Sequence, residues 1–198
     1  NTPDEVVIAG KRASCLRVIE ILGCRSLPVP IEAAIHNPAM SSTYQDFVDL
    51  HTQPVHPQPG MEFYSAAAYQ PLSIKPEALA RSIAAMTCQQ VNFPRLVRQI
   101  YQDGVRIFIE VGPQKTCTRW VQAVLEKVPH AAIPMNKKYQ ADLDGILKVL
   151  SLLISHQVDL NLESIFPGQQ TAPARALYQE GDREAAGPSP QERCRTAQ

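Results

Sequence analysis

One histidine of the chain stands where it could take part in catalysis. His36 lies in the run Ala34-Ile35-His36-Asn37-Pro38, which reads as a loop just ahead of a helix. A neutral imidazole can accept a proton and give it back near pH 7, so a loop histidine of this kind is a candidate general base. A lone loop histidine is more often a solvated or structural side chain, and His36 therefore needs companions before it is given this role.

A second stretch supplies such a companion. Residues 104–113 run through alternating apolar residues to Gly112-Pro113, the pattern of a strand that ends at a turn and leads into a helix. α/β enzymes build the rims of their active sites from such strand ends. The turn at Glu110 is predicted to be mainly structural and to hold the strand end against the His36 loop. Together, the two stretches predict half of a catalytic site.

Other reactive side chains are weaker candidates. His51 and His56 lie near each other in a proline-rich segment, but no carboxylate or cysteine pair completes a ligand set, so no metal site is predicted. Cys88 and Cys117 could be nucleophiles, yet both fall at helical positions, where a free cysteine is usually a small buried hydrophobe. His36 is thus the main candidate for catalysis.

The composition excludes several classes of partner. The 198 residues include 19 basic and 19 acidic side chains, and this balance favours neither nucleic acid nor an anionic membrane surface. No apolar run approaches the roughly 18 residues of a membrane span. The five cysteines are odd in number and form no Cys-x-x-Cys pair, which argues against a disulfide framework and favours a reducing, cytoplasmic location.

The hydrophobic periodicity predicts an α/β fold. Residues 6–9 and a segment through Leu27 and Val29 are predicted strands that flank a helix from about Lys11 to Gly23, a β-α-β run compact enough for a small subdomain. The remaining predictions are helices after Ser41, from Pro76, from Phe93 to about Gly104, after Pro113 and around residues 143–154, with strands near residues 63–64, 105–111 and 131–134.

These elements define the expected domain organisation. Residues 1–30 form part of the small subdomain, residues 31–155 form an α/β core, and residues 156–168 form a linker. Residues 169–198 lack Ile, Val and Phe and are rich in Gln, Ala, Pro, Gly, Arg and Glu, which predicts a disordered tail. The first residue is Asn1, and a strand of the buried type follows at once, so the start looks like a cut in a longer chain.

Three motifs occur in an order that resembles one known family. Asn1-Thr2-Pro3 followed by residues 6–10, the run from Ala34 to Met40, and the run from Phe108 to Pro113 are similar to motifs in the C-terminal half of the malonyl/acyl-carrier-protein acyltransferase domains of fatty acid and polyketide synthases. The resemblance covers roughly residues 1–155. Residues 133–138 and 153–160 are most similar to the end of this domain in polyunsaturated fatty acid and heterocyst-glycolipid type synthases.

The resemblance implies a fold and an activity. The implied fold is a partial acyltransferase domain, with the remainder of a ferredoxin-like small subdomain and the C-terminal part of an α/β-hydrolase-like core. In this family, a serine in a Gly-His-Ser-x-Gly elbow attacks an acyl-coenzyme A thioester, and the acyl group, malonyl or another, then moves from the serine to an acyl carrier protein. His36 matches the family's general base.

Three further residues take their roles from the same resemblance. The backbone carbonyl that orients the base falls near Met86. Ala34 and Ile35 occupy positions where modular synthases set their acyl preference, commonly with His-Ala-Phe-His or Tyr-Ala-Ser-His. This chain has Ala33-Ala34-Ile35-His36 and matches neither pattern.

The chain lacks the nucleophile of the family. No Gly-x-Ser-x-Gly occurs in it, the serines at 41, 42, 65 and 73 have no elbow context, and the arginine that binds the extender carboxylate would lie upstream with the serine. The resemblance therefore implies that these residues alone do not transfer acyl groups and bind no cofactor of their own. Acyl-coenzyme A would be the substrate.

The resemblance also names partners. These are an acyl carrier protein with its phosphopantetheine arm, and the missing N-terminal half of the domain or neighbouring synthase domains. Arg106, Lys115 and Arg119 could form a basic rim for the phosphopantetheine arm, and a solvated helix face explains them equally well.

The alternative function is that of a non-catalytic subunit that docks a carrier protein or a neighbouring domain. A Gly-His-Ser-x-Gly just upstream would favour the enzyme, and a start codon at residue 1 would favour the docking subunit.

Overall fold

A computed structural model describes residues 1–31, 33–137, 141–163 and 165. The chain divides into two compact units, Asn1–Pro134 and Met135–Gln198. The predicted tail at 169–198 and part of the predicted linker lie outside the described residues. The linker residues that are described, 156–163 and 165, belong to no helix or strand.

The first unit contains most of the regular structure. Its helices are α1, α2, α3, α4 and α5, its strands are β1, β2, β3 and β4, and a 3₁₀ helix precedes α2. The bounds are Arg12–Leu22 for α1, Pro38–Thr43 for the 3₁₀ helix, Tyr44–His51 for α2, Phe63–Tyr64 for β1, Pro71–Leu72 for β2, Pro76–Cys88 for α3, Phe93–Gln102 for α4, Ile107–Glu110 for β3, Thr116–Val124 for α5 and Ala131–Pro134 for β4.

Helix α3 is the support on which the His36 segment rests. It begins at Pro76, where the missing proline N–H costs nothing because the first turn has no acceptor for it. Its buried positions are mostly small, since Ala80 and Ala84 have no exposed surface, and α2 packs on this helix. Small side chains let two helices approach closely. The helix predicted from Pro76 is confirmed.

Strands β3 and β4 and helix α5 form a β-α-β unit. The two strands pair in parallel from Ile107 opposite Ala131 to Glu110 opposite Pro134, and α5 connects them. The hydrophobic core of this region consists of buried side chains from α4, α5 and the turn after α5, with partly buried neighbours around them: Val97, Val121 and Leu125, then Phe93, Tyr101, Phe108, Val124 and Ala132. The predicted crossover is confirmed.

Strands β1 and β2 form a short antiparallel hairpin. Phe63 pairs with Leu72 and Tyr64 with Pro71. The extended piece near residues 63–64 was predicted, but its partner was not, because a proline argues against a strand. Within the turn, Tyr69 has a φ of +59°, a conformation that a bulky side chain rarely adopts.

The predicted strands at residues 6–9 and through Leu27 and Val29 are wrong. Helix α1 forms between them and ends at Gly23 in the left-handed conformation, but in residues 1–31 the only strand-like pairing is an isolated bridge between Thr2 and Glu5. A strand requires a neighbour that takes up its backbone hydrogen bonds, and no described residue provides one for these segments. Their side chains are correspondingly exposed, by 73% at Val6 and 75% at Leu27.

The second unit contains α6, Asp142–Ser155. Asn136 donates a hydrogen bond from Nδ2 to the Asp142 carboxylate at 3.2 Å, and two acidic residues in the first turn suit the positive end of the helix dipole. The predicted helix around residues 143–154 is confirmed. Across the described part of the chain, no helix combines the length and the apolar character that crossing a bilayer requires.

Candidate active site

The candidate site centres on the ring of His36. Its Nδ1 lies 2.7 Å from the carbonyl oxygen of Met86, a residue that is 50 positions further along the chain. His36 itself has a φ of +58°, which costs a non-glycine residue on the order of 1 kcal/mol. Such a conformation persists only where surrounding contacts hold it, so the position of this ring is imposed by the fold.

The contact with Met86 assigns the proton on the imidazole. A carbonyl oxygen only accepts hydrogen bonds, so Nδ1 must carry the hydrogen and the neutral ring keeps its lone pair on Nε2. No residue in the described ranges hydrogen-bonds to Nε2, and the side chain of His36 is exposed. The free nitrogen is therefore a base that is open to solvent or to a ligand.

The carboxyl end of α3 supplies the acceptors for this segment. The helix ends at Cys88 because Gln89 is extended, with φ −129° and ψ 154°, and the last carbonyls of a helix have no partner within it. The Met86 carbonyl binds the ring of His36, and the Thr87 carbonyl accepts from the Asn37 backbone N–H at 3.3 Å. Successive residues of α3 thus hold successive residues of the loop.

One more contact of α3 fixes the end of the same loop. The buried thiol of Cys88 donates to the carbonyl oxygen of Met40 at 3.2 Å. Cys88 is therefore structural, as its helical position indicated. The segment from His36 to Met40 is attached to α3 at both of its ends.

Asn37 is a site residue that the sequence analysis did not identify. Its Oδ1 accepts from the Ala39 N–H at 2.9 Å and caps the 3₁₀ helix, while its Nδ2 donates to the Ala9 carbonyl at 3.2 Å. An asparagine directly before Pro38 is a recognisable N-cap signal, and this pattern could have predicted the first contact. The second contact joins segments 28 residues apart and has no local signal.

Ala34 and Ile35 lie on the same loop, immediately before His36. Ala34 is half-buried, and the Ile35 side chain is exposed. Neither side chain can donate or accept a hydrogen bond, so any influence on a ligand would come from shape and apolar contact. Their role in acyl preference stays a prediction.

Glu110, at the end of β3, fixes the start of α5. Its carboxylate accepts from the Cys117 N–H at 3.0 Å, from the Thr118 N–H at 2.7 Å and from the Thr118 hydroxyl at 2.6 Å. Burial raises the pKa of Glu110, but the hydrogen bonds from Thr118 and Cys117 outweigh it, so the pKa lies below its ordinary value. The hydrogen bonds of this carboxylate join β3 to α5, whereas the predicted attachment was to the His36 loop.

The other reactive side chains have structural surroundings. His51 Nδ1 lies 2.8 Å from the Phe47 carbonyl, and its ring stacks on that of Phe47 with centroids 5.8 Å apart. Burial and the neighbouring Glu110 carboxylate raise the pKa of the Cys117 thiol, which makes it a poor nucleophile. Among the residues that the structure describes, no group of three or more His, Cys, Asp or Glu side chains could hold a metal ion.

Two of the three basic side chains proposed for a rim have partners within the chain. Arg106 donates to the Tyr101 carbonyl at 2.6 Å and stacks on the Tyr101 ring at 3.8 Å. Arg119 pairs with Glu5 at 3.5 Å. Only Lys115, at the start of α5, has no such contact in the described ranges. A basic rim for the phosphopantetheine arm would have to break or share these contacts.

An open groove of about 620 Å³ lies beside α3, apart from His36. It is bounded by the β1–β2 hairpin and by residues of α2 and α3, and its rim carries Lys75, Glu77 and Arg81. Its buried floor includes Ser65, whose hydroxyl bonds to that of Ser82 at 2.7 Å. Neither His36 nor Met86 lines the groove.

The chain is similar in sequence to parts of large synthases. It is 22% identical over 192 residues to a polyunsaturated fatty acid synthase polypeptide of Thraustochytrium sp., in a match that covers 90% of this chain and 9% of that protein. It is 23% identical over 171 residues to the mycocerosic acid synthase-like polyketide synthase of Mycolicibacterium smegmatis, in a match that covers 84% of this chain and 8% of that protein. The chain thus spans less than a tenth of these relatives. No protein-family model matches the sequence.

The fold is similar to that of solved acyltransferase domains. The acyltransferase domain from the second module of the salinomycin polyketide synthase matches 84% of this chain with a TM-score of 0.66 at 17% identity, and 41% of that domain is covered. The malonyl CoA-acyl carrier protein transacylase from Clostridium perfringens matches 74% of this chain with a TM-score of 0.58 at 18% identity, and 44% of it is covered. The resemblance predicted from the sequence is confirmed: the chain has part of the acyltransferase-domain fold found in fatty acid and polyketide synthases.

Proposed function

We propose that this chain supplies the general base of an acyltransferase that moves malonyl or another acyl group from coenzyme A to an acyl carrier protein. His36 is the base, the Met86 carbonyl orients it, and the nucleophilic serine lies outside these 198 residues. The observation that carries the proposal is the 2.7 Å contact between His36 Nδ1 and the Met86 oxygen, since it places the hydrogen of the neutral ring on Nδ1 and leaves the lone pair of the exposed ring on Nε2. The motif order around His36 and the acyltransferase fold support it.

The arrangement can serve both halves of an acyl exchange. In the first half, Nε2 takes the proton of the serine hydroxyl, the serine oxygen bonds to the thioester carbon, and the imidazolium returns the proton to the departing thiolate of coenzyme A. In the second half, Nε2 takes the proton of the phosphopantetheine thiol, whose sulfur bonds to the acyl carbon. The serine oxygen leaves and recovers the proton.

The position of His36 at the end of α3 suits the charge that forms during these steps. Each proton transfer makes the ring an imidazolium with a hydrogen on both nitrogens. Nδ1–H then points at the Met86 carbonyl, at the carboxyl end of α3 where the helix dipole favours a positive charge. In this proposal the Met86 carbonyl and the end of α3 stabilise the charged ring, and no carboxylate in the described part of the chain hydrogen-bonds to it.

The test compares histidine variants of the polypeptide as the organism makes it. We expect His36→Ala to lower transfer from malonyl-coenzyme A to a carrier protein by about 10³-fold, within the range for loss of a general base. His130→Ala is the matched control, because His130, a half-buried histidine, also has Nδ1 against a backbone carbonyl, that of Val128 at 2.9 Å. The control should keep normal transfer.

The same assay separates the enzyme from its alternative. The 198-residue chain alone should form no acyl-enzyme with malonyl-coenzyme A, and a stoichiometric mass increase that hydroxylamine reverses would contradict this. Normal acyl transfer by the His36→Ala variant would rule out His36 as the general base. If that variant also bound carrier protein normally, the docking subunit would become the better description.

A further inference from the structure

Tyr69 holds the backbone that follows α3. Its hydroxyl donates to the Gln90 carbonyl at 3.3 Å and accepts from the Asn92 N–H at 2.9 Å, and its ring lies under the guanidinium of Arg95, 4.3 Å from the centroid. Tyr69 keeps these contacts while its own φ is +59°, where a tyrosine is strained. A strained residue with several contacts is one whose position the surrounding structure fixes.

Without Tyr69, the backbone after α3 could compete with His36 for a hydrogen-bond acceptor. Gln89 and Gln90 are good helix formers, yet the helix stops before them at Cys88, and Gln89 is extended. If α3 continued by two residues, the Gln90 N–H would reach the Met86 carbonyl by the ordinary i to i−4 bond. That carbonyl is the acceptor that binds Nδ1 of His36.

We propose that Tyr69 is a positioning residue that keeps α3 from extending past Cys88 and so reserves the Met86 carbonyl for His36. Its hydroxyl binds one acceptor and one donor of the segment between α3 and α4, and both are groups that a longer helix would redirect. The effect on catalysis rests on the proposed function of His36. The effect on the hydrogen bond of the His36 ring does not rest on the proposed function, because that hydrogen bond is a property of the folded chain.

The test uses two variants with different effects on the backbone. Tyr69→Phe keeps the ring under Arg95 and removes only the hydroxyl. Tyr69→Gly removes all contacts but adopts the positive φ without steric cost, so the hairpin turn is retained. We expect both to lose the NMR signal of a hydrogen on Nδ1 of His36 in the ¹⁵N-histidine-labelled 198-residue chain. In the polypeptide as the organism makes it, kcat for transfer should fall about tenfold with KM for acyl-coenzyme A nearly unchanged.

Tyr101→Phe is the matched control. Tyr101 also stacks with an arginine, Arg106, and also donates to a backbone carbonyl, that of Pro129 at 3.2 Å, and neither contact involves α3. It should leave both readouts unchanged. A normal Nδ1–H signal and normal kcat in Tyr69→Phe would overturn the proposal, as would equal losses in Tyr101→Phe. If His36→Ala left acyl transfer intact, the proposed function would fail. The NMR signal of the Nδ1 hydrogen in the Tyr69 variants would still test whether Tyr69 positions the Met86 carbonyl.

Discussion

Residues 1–31 and residues 93–134 have similar sequence patterns and different degrees of burial. Both segments alternate apolar strand-like stretches with an amphipathic helix, yet the second buries Val97, Val121 and Leu125 while residues 1–31 contain no buried side chain. In the second segment, β3 and β4 pair with each other and α5 covers them. An apolar pattern becomes a core only when the chain itself supplies the facing surface.

A few polar contacts attach residues 1–31 to the rest of the first unit. Glu5 accepts from the indole N–H of Trp120 at 3.1 Å and pairs with Arg119, and the Ala9 carbonyl accepts from Asn37. Exposed contacts of this kind contribute little to stability, because water competes for each partner. We therefore expect the two segments to respond very differently to the same substitution.

The largest difference is expected for a matched pair of leucines. Leu125→Ala removes a side chain that is 3% exposed in the core and should lower the free energy of unfolding by about 3 kcal/mol. Leu22→Ala removes one that is 65% exposed on α1 and should change it by less than about 0.5 kcal/mol. Urea unfolding of both variants is the measurement. Equal losses would show that residues 1–31 bury their apolar surface in solution.

A smaller effect is expected at the junction of β3 and α5. Glu110→Gln should cost about 1 kcal/mol at pH 7, because charge-assisted hydrogen bonds to Thr118 become neutral ones and the site is only half-buried. The pKa of Glu110 is lowered on folding, so the wild type has this stability above the ordinary value of 4.5 and loses it as the pH falls through the lowered pKa.

Unfolding by urea at pH 7 and pH 3 tests this dependence. The difference between wild type and Glu110→Gln should shrink at the lower pH. Glu126→Gln changes an exposed glutamate just after α5 and serves as the control, with little effect at either pH. A difference that stayed constant with pH would mean that the ionised carboxylate is not what stabilises the junction.

The smallest effect is expected for the contact between residues 1–31 and α5. Glu5→Gln removes the charge that pairs with Arg119, where both side chains are about half exposed or more. The free energy of unfolding should fall by less than about 0.5 kcal/mol, and the loss should vanish at high salt. A loss above about 1 kcal/mol at low salt would show that this contact anchors residues 1–31 more firmly than its exposure suggests.

Local patterns predicted the helices and the central crossover well. The helix α4 and the strand β3 depend on patterns within a few residues, and both form within their predicted ranges. The buried face of β3 differs from the prediction, since Phe108 packs on the core and Ile109 is 38% exposed. The strands at residues 6–9 and 27–29 were mispredicted because a strand depends on a partner elsewhere in space. The pairing of Pro71 with Tyr64 was missed because a proline argues against a strand.

The candidate site was predictable only in part. The contact between His36 and Met86 came from the resemblance to a family, since no local rule connects residues 50 positions apart. The contact between Asn37 and Ala9 likewise depends on the tertiary fold. The role of Tyr69 could not be predicted, because nothing in the sequence indicates that this tyrosine adopts a positive φ, which glycine would favour.

The burial of Cys88 gives the chain an internal reporter of loop opening. Its buried thiol is bonded to the Met40 carbonyl, so we expect it to react faster with an alkylating reagent when the segment from His36 to Met40 is lifted from α3. Cys24 is exposed and would react at once, which provides an internal reference in the same molecule. A change in the ratio of the two alkylation rates would therefore report that the loop that carries His36 is held less firmly, or more firmly, at the end of α3.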